Sequence, residues 1–301
     1  MKSNSNRKYK YIMGTGCSFG RDDWMESLSE NLGDKCEMLS NPGGGNTQII
    51  FRLITEINKL IQSGIEPESI LVVNMLTDWN RADIFINKED IIEYSKIIYT
   101  SYDHGGVDII MFIDDNGGIE ERQNRADLNS FPYPNQAFLK TGGIGSESGR
   151  DNYLKFIREW YKKYYSKESM FVNTLKEILI LQGFCKERNI DYFFTPWQNI
   201  FHHRIGEEVR QCELDKIYFK STNKSLMKDV YPMSKVYWNM IDFDKFIFYE
   251  NSEIKMGGIA EFSICNGISL GWDGDDIDTT HPNFKAGNLY GKFLSKEIRS
   301  L

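Results

Sequence analysis

The feature that most limits the fold of this chain is an alternation of strand-like and helix-like segments over residues 9–75. The run from Ser69 to Met75 is apolar on both faces, which is typical of a strand buried in a parallel sheet. Helices between parallel strands make right-handed crossovers, so the alternation predicts an α/β fold with a mainly parallel sheet. The predicted elements are a strand from Tyr9 that stops in glycines, a helix from Asp22 to Leu32, a strand from Cys36 to Ser40, a helix over 49–61 and the strand at 69–75.

The remainder of the chain is less regular. An Asn-Gly step between 107–113 and 119–122 predicts a hairpin, because these residues suit the positive φ angles of a tight turn. Further predictions are a helix over 88–100, a loop over 124–150, two helical pieces from Asp151 to Arg188, a strand from Ile190 to Thr195, short helices within 198–245, a fifth strand or a surface segment from Lys245 to Tyr249, a loop from Gly267 to Thr280 and a helix from Phe284 to Leu301. We interpret the chain as one domain, 1–301, with insertions around 101–160 and 198–255.

Composition restricts the class of partner. The formal net charge of -7 argues against nucleic acid and anionic membranes, since binding to either needs a basic surface. No stretch approaches the ~20 apolar residues of a membrane span, and the polar start of the chain lacks the apolar core of a signal peptide. The sequence carries no signal for an oligomeric state.

Metal-binding patterns are also missing from the sequence. The five cysteines form no C-x-x-C pair, so we expect reduced thiols and neither a zinc site nor a disulfide framework. The acidic run from Asp273 to Asp276 lacks the ligand spacing of an EF-hand loop and is interpreted as solvated. Reduced thiols favour a cytoplasmic protein, or a virion-associated one if the source is viral.

Ser18 is the candidate nucleophile. It follows the first predicted strand, where an α/β protein exposes residues at the carboxyl end of its sheet. A serine nucleophile needs an imidazole as base and a carboxylate that orients the imidazole. The segment Asp278-Thr-Thr-His281 offers both groups in one loop. The other histidines lack such a pattern and are interpreted as surface or packing residues: His104, His202 and His203.

These motifs resemble the SGNH/GDSL-type hydrolases, a family with a flavodoxin-like three-layer α/β/α sandwich and short blocks carrying Ser, Gly, Asn and His. Ser18 fits the first block, with Cys17 in place of the family's acid, and Asp278 and His281 fit the last block. The loop Asn41-Pro-Gly-Gly-Gly-Asn-Thr47 fits the second block. The resemblance implies a sheet of about five strands and a triad in which Asp278 holds His281 and His281 activates Ser18.

The third block, Gly-x-Asn-Asp in the family, is matched least well. The chain reads Leu76-Thr-Asp-Trp-Asn-Arg81 after the third predicted strand. An ungapped alignment places Asp78 at the asparagine position, whereas Asn80 takes that position after a two-residue shift. The resemblance implies an oxyanion hole formed by Gly45 and one of these residues. An acid in place of the asparagine exchanges a hydrogen-bond donor for an acceptor.

Other interpretations of the first loop stay open. Gly14, Gly16 and Gly20 form a weak dinucleotide-binding pattern, because no acid stands clearly at the end of the second strand to hold a ribose. The segment from Gly16 to Gly20 also fits the letters of a Gly-x-Ser-x-Gly elbow. Ser18 alone suits a helix cap, and Cys17 is a nucleophile one position away from the family serine.

The sequence therefore predicts a serine esterase or deacylase that works through an acyl-enzyme on Ser18 without a cofactor. The expected partner is a small-molecule or glycan ester, with O-acetyl groups on a carbohydrate preferred because aromatic-rich insertions suit sugar faces. Acyl transfer to an acceptor other than water would use the same residues. The alternative is a catalytically impaired SGNH-fold module that binds glycans or is a virion-associated structural protein.

Overall fold

The computed structural model of the chain describes residues 8–17, 22–40, 45–81, 83–87, 110–113, 119–122, 136–140, 163–164, 166–203, 225–268 and 282–301. The strands in these ranges are β1 (Tyr9–Gly16), β2 (Gly33–Ser40), β3 (Ile70–Leu76), β4 (Asp83–Asn87), β5 (Ile110–Ile113), β6 (Ile119–Arg122), β7 (Gln136–Lys140) and β8 (Asp191–Pro196). The α-helices are α1 (Asp22–Leu32), α2 (Asn46–Gln62), α3 (Lys167–Glu187), α4 (Met227–Val230), α5 (Ser234–Trp238), α6 (Ile259–Cys265) and α7 (Phe284–Ser300).

A four-stranded parallel sheet forms the centre, with the strand order β2-β1-β3-β8. In β1, Thr15 pairs with Leu39 of β2 on one side and with Asn74 of β3 on the other. Asn74 in turn pairs with Phe194 of β8. The predicted α/β class with a parallel sheet is therefore confirmed.

Helices cover both faces of this sheet. The β1-α1-β2 connection leads to one side of β1, and the β2-α2-β3 connection leads past β1 to the other side. Because both crossovers follow the right-handed rule, α1 and α2 lie on opposite faces. The closing helix α7 packs against α1, and α3 packs against α2. The result is helix on sheet on helix.

The core follows from strands that are apolar on both faces. Every residue of β3 is buried, and this agrees with the apolar run that predicted the strand. The helices contribute apolar stripes, including Trp24 and Leu28 of α1 and Ile49 and Leu53 of α2, each 0% exposed. Burial of one such side chain contributes about 1.5–3 kcal/mol, so the sheet and its two helical layers hold each other in place.

Residues 225–268 complete the edge of the sheet beside β8. Phe246 forms a parallel bridge with Phe194, and the Ile247 amide donates to the Phe194 carbonyl at 2.9 Å. The predicted fifth strand is present here as this single bridge. The ring of Phe201 packs edge-on against those of Trp238 and Phe246. These aromatic side chains are buried, so they are core residues, and the expectation that insertion aromatics face sugars is wrong for them.

Most predicted boundaries agree with the structure, and the exceptions have local causes. The second strand begins at Gly33, three residues before the predicted Cys36, because Gly33 already pairs with Tyr9 of β1. The hairpin is confirmed as β5 paired with β6. The segment 124–150 is not all loop, because its apolar run Ala137–Leu139 lies in β7, which pairs with β4. The second-block loop ends earlier than predicted, since Gly45 is the N-cap of α2 and Asn46 is already helical. The predicted helix over 88–100 and most of the loop over 267–280 lie outside the described residues.

The helices and the cysteines bear on membrane insertion and on disulfide formation. No helix in the described parts of the chain is long and apolar enough to cross a membrane. Among the cysteines within these ranges, Cys17 and Cys185 are buried, and neither they nor Cys36 and Cys265 form a disulfide. Burial raises the pKa of the Cys185 thiol to about 12, which makes it a packing group and not a nucleophile at neutral pH.

Candidate active site

The carboxyl edge of the sheet between β1 and β3 holds the described parts of the first three blocks. The connections of these adjacent strands leave in opposite directions, and such a point opens a crevice in doubly wound folds. The described part of the first block ends at Cys17, which is completely buried after β1. Ser18, the next residue in the chain, lies outside the described residues. A buried Cys17 side chain is poorly suited to attack a substrate.

Gly45 lies at this edge as the N-cap of α2. Its amide donates to Asp83 Oδ1 at 2.8 Å. A Cβ at this position would lie 2.7 Å from Asp83 Oδ2 and 2.8 Å from the Arg81 carbonyl oxygen. Glycine is therefore required by the close passage of the chain before β4. The amide that the resemblance assigns to the oxyanion hole has a carboxylate as its partner in this structure.

Asp83 caps α2 from another part of the chain. Besides the Gly45 amide, its second oxygen accepts from the Gln48 amide at 2.8 Å. The first amides of a helix have no intrahelical acceptor, and a carboxylate also interacts favourably with the positive end of the helix. Gly45 has no side chain that could serve as a cap, so Asp83 supplies the missing acceptor.

Asn46 joins the start of α2 to the end of β3. Its side chain is buried and accepts from the Thr77 amide at 2.9 Å. It also donates to the Thr77 carbonyl at 3.2 Å and to the Thr174 hydroxyl of α3 at 3.3 Å. An asparagine has both an acceptor and donors, and this allows it to satisfy both backbone groups of one residue. The second and third blocks are thus in direct contact.

The two candidates of the third block have different surroundings. The carboxylate of Asp78 accepts from Gln198 Nε2 at 2.8 Å, so it is held toward the residues that follow β8. Asn80 lies in the turn closed by the Arg81 amide, which donates to the Asp78 carbonyl at 3.3 Å. Both residues are half-buried at the carboxyl edge. An ionised carboxylate only accepts hydrogen bonds, whereas an asparagine side chain also donates them, so Asn80 is the better source of a donor for a substrate.

The start of α7 lies toward the same edge of the sheet. The Arg299 side chain donates to the Asn31 carbonyl at 2.6 Å near the end of α1. A Cβ on Gly291 would overlap with the Trp24 carbonyl near the start of α1, so the two helices run side by side in the same direction. Residue 284 lies seven positions before Gly291, which is about 10 Å of helix. The start of α7 therefore extends beyond α1 on the carboxyl side.

A contact with β8 also places the first half of α7 near the carboxyl edge of the sheet. The hydroxyl of Tyr290 forms a short hydrogen bond with Thr195, close to the carboxyl end of β8. Asn283 is the N-cap of α7, and its side chain accepts from the Ala286 amide at 2.9 Å. Asp278 and His281 precede this cap and lie outside the described residues.

Buried polar side chains collect near the start of α2. Within the described residues, the side-chain amides of Asn74 and Gln48 and the hydroxyl of Thr77 are buried without a hydrogen-bond partner. Burial raises the pKa of Glu177 on α3, where the hydroxyl of Thr47 acts in the opposite direction and the charge of Asp83 raises it further. Unsatisfied buried polar groups cost free energy and concentrate at functional sites.

Sequence reasoning missed the residues that connect these blocks. Asn46 is visible as the last asparagine of the second-block loop, but its partners are distant in sequence. Asp83 gave no signal, because it is a single acid at the start of an irregular region. His202, interpreted from the sequence as a surface or packing residue, is 9% exposed, and its Nδ1 lies 2.9 Å from Asn199 Nδ2.

Comparisons with known proteins returned no relative. The chain matched no protein-family model, no curated protein and no solved structure. Within the described residues, no group of His, Cys, Asp and Glu side chains is arranged to hold a metal ion.

Proposed function

We propose that this protein is a serine ester hydrolase of the SGNH type. The observation that carries the proposal is the direct contact between the second and third blocks at the β1/β3 crevice, made by Asn46 and Thr77. The first block ends beside them, because β1 and β3 are paired. The direction of α7 supports the fourth block at the same edge.

In the proposed reaction, His281 takes the proton of the Ser18 hydroxyl while Asp278 orients the imidazole. The Ser18 oxygen attacks the ester carbonyl, and the bond to the alcohol breaks as His281 returns the proton to the leaving oxygen. Water then attacks the acyl-enzyme with His281 as base, and the acid and free Ser18 are released. The Ser18 amide and the Asn80 side chain are the proposed oxyanion donors. The Gly45 amide serves as a further donor only if it gives up its hydrogen bond to Asp83.

A fluorophosphonate probe tests the proposal. We expect the wild-type protein to be labelled and to hydrolyse p-nitrophenyl acetate, and Ser18→Ala to abolish both. Cys17→Ala is the matched control one position away and is expected to retain labelling. A folded wild-type protein that neither reacts with the probe nor hydrolyses small acetyl esters would overturn the assignment.

A second candidate function is a catalytically impaired module of the same fold that binds a glycan or belongs to a virion. The observation that favours it is the carboxylate of Asp83 on the Gly45 amide, because it places negative charge next to the proposed oxyanion hole. Asp78 as the third-block residue would add a second acceptor. This candidate predicts a protein that ignores the probe yet binds an intact, unhydrolysed glycan ester.

We propose that the fold is a flavodoxin-like α/β/α sandwich. The order β2-β1-β3-β8 followed by the Phe246 bridge supports a flavodoxin-like sandwich of about five strands. We interpret the chain as one domain with insertions around 101–160 and 198–255.

The proposed substrate is a small-molecule or glycan ester. The buried aromatics of 225–255 supply no sugar-stacking surface, so the carbohydrate preference does not rest on them. Parallel assays on acetylated glycans and on acyl lipids distinguish the two substrate classes.

A further inference from the structure

The segment that carries Asp78 and Asn80 is fixed at both of its ends to the start of α2. At its beginning, Asn46 binds both backbone groups of Thr77, at 2.9 and 3.2 Å. At its end, Asp83 accepts from the Gly45 and Gln48 amides, both at 2.8 Å. We call these hydrogen bonds the 77–83 staple.

The staple differs from an ordinary helix cap in what it connects. An ordinary cap would satisfy the amides of α2 with a side chain at the N-cap position, which Gly45 lacks, and it would leave the third block independent. Here the acceptor comes from the first residue of β4, directly after the third block. The close passage of the Arg81 carbonyl over Gly45 leaves no room for a side chain that could replace Asp83.

We propose that Asp83 and Asn46 are positioning residues that set the third block against the second. This inference rests on the proposed function, since the group they position is the oxyanion donor at Asn80. Neither residue contacts the substrate in this scheme. A donor displaced by about 1 Å loses much of its effect on the transition state, so loosening either end of the staple lowers the rate of acylation.

Asp83→Asn is the main test, and Asp191→Asn is its matched control. Asp191 is also a carboxylate that accepts hydrogen bonds from two groups, Lys8 Nζ at 2.8 Å and Tyr9 OH at 2.6 Å, but it lies at the amino end of β8. We expect Asp83→Asn to lower the rate constant of fluorophosphonate labelling at least tenfold at a temperature where the protein is folded. The control is expected to label at the wild-type rate. Equal labelling of Asp83→Asn and wild type would overturn the inference and leave the proposed function standing.

Amide exchange followed by NMR tests the staple without any activity. In the wild-type protein the Gly45 and Gln48 amides are expected to exchange at least tenfold more slowly than unprotected amides, although helix N-termini usually exchange fast. Asp83→Asn is expected to remove this protection and Asp191→Asn to retain it. Fast exchange at both amides in the wild type would overturn the inference even if the variant does not fold. A wild type that is protected but inert to the probe would instead count against the proposed function.

Discussion

The two ends of the central sheet use polar residues in different ways. At the amino end, the exposed Lys8 and the buried Tyr9 both bind the partly exposed Asp191, so each of these three side chains has a partner. At the carboxyl end, Asn46 and Thr77 are buried, and the side chain of Asn74 has no partner among the described residues. Paired surface charges add a little stability, whereas buried polar groups left unsatisfied reduce it. Among the described residues, several buried side chains without a partner are therefore grouped at the carboxyl end, and the hydroxyl of Tyr192 is another such group near the amino end of β8.

The largest expected effect comes from adding a side chain at Gly258, where two backbone segments lie in close contact at the carboxyl end. A Cβ at Gly258 would overlap with the Pro196 carbonyl at the end of β8, and backbone cannot move aside as a side chain can. We expect Gly258→Ala to lower the free energy of unfolding by about 3 kcal/mol or more. Urea denaturation measures this.

Gly33→Ala is the counterpart at the amino end. Its Cβ would clash with the side chain of Ile12, at 2.7 Å, and would lie at an ordinary contact distance of 3.4 Å from the nearest backbone atom, the Tyr9 carbonyl oxygen, so a smaller loss is expected. Equal losses for Gly33→Ala and Gly258→Ala would show that the two ends tolerate substitution alike.

The next effect concerns the buried amide of the staple. Asn46→Ala leaves the amide and carbonyl of Thr77 without their partner, and we expect a loss of about 2–3 kcal/mol in the free energy of unfolding. Thr174→Val removes only one acceptor of the same side chain and should cost less than half as much. If the two variants unfold at the same urea concentration, the hydrogen bonds of Asn46 with Thr77 do not contribute more to stability than its hydrogen bond with Thr174.

A smaller, pH-dependent effect is expected at the amino end. Burial alone would raise the pKa of Asp191, but hydrogen bonds from Lys8 and Tyr9 hold it below its usual value. Because the folded-state pKa is depressed, the stabilisation is present above the unfolded-state pKa of about 3.9 and is lost as the pH falls through the folded-state pKa. Asp191→Asn should cost about 0.5–1 kcal/mol at pH 7, discounted for solvent exposure, and less at pH 3. Thermal unfolding at the two pH values checks this.

The smallest effect has the opposite sign. Burial raises the pKa of Glu177, so ionisation of this carboxyl costs more in the folded state than in the unfolded state. Its contribution to stability is therefore favourable at low pH and is lost as the pH rises through the folded-state pKa. We expect Glu177→Gln to raise Tm slightly at pH 7 and to leave it unchanged near pH 4. A lower Tm at pH 7 would mean that the hydrogen bond with Thr47 requires the carboxylate.

Prediction from sequence succeeded where the pattern was local. The strand at β3 and the helix α2 follow from apolar residues at strand and helix spacing, and those patterns are set by burial of one segment at a time. β7 was missed because Ala137 to Leu139 is too short a run to distinguish from loop without its partner β4. The site was predicted as motifs, but the contacts of Asp83 with Gly45 and of Asn46 with Thr77 join residues far apart in sequence, and no local rule finds them.

The side-by-side packing of α1 and α7 has a consequence for folding during synthesis. Trp24 is completely buried and lies against the backbone of Gly291. At typical elongation rates, roughly 15–50 seconds separate the appearance of these two helices at the ribosome. Throughout that interval the outer apolar face of the nascent α1 lacks its cover, and apolar surface exposed in this way favours association with other chains.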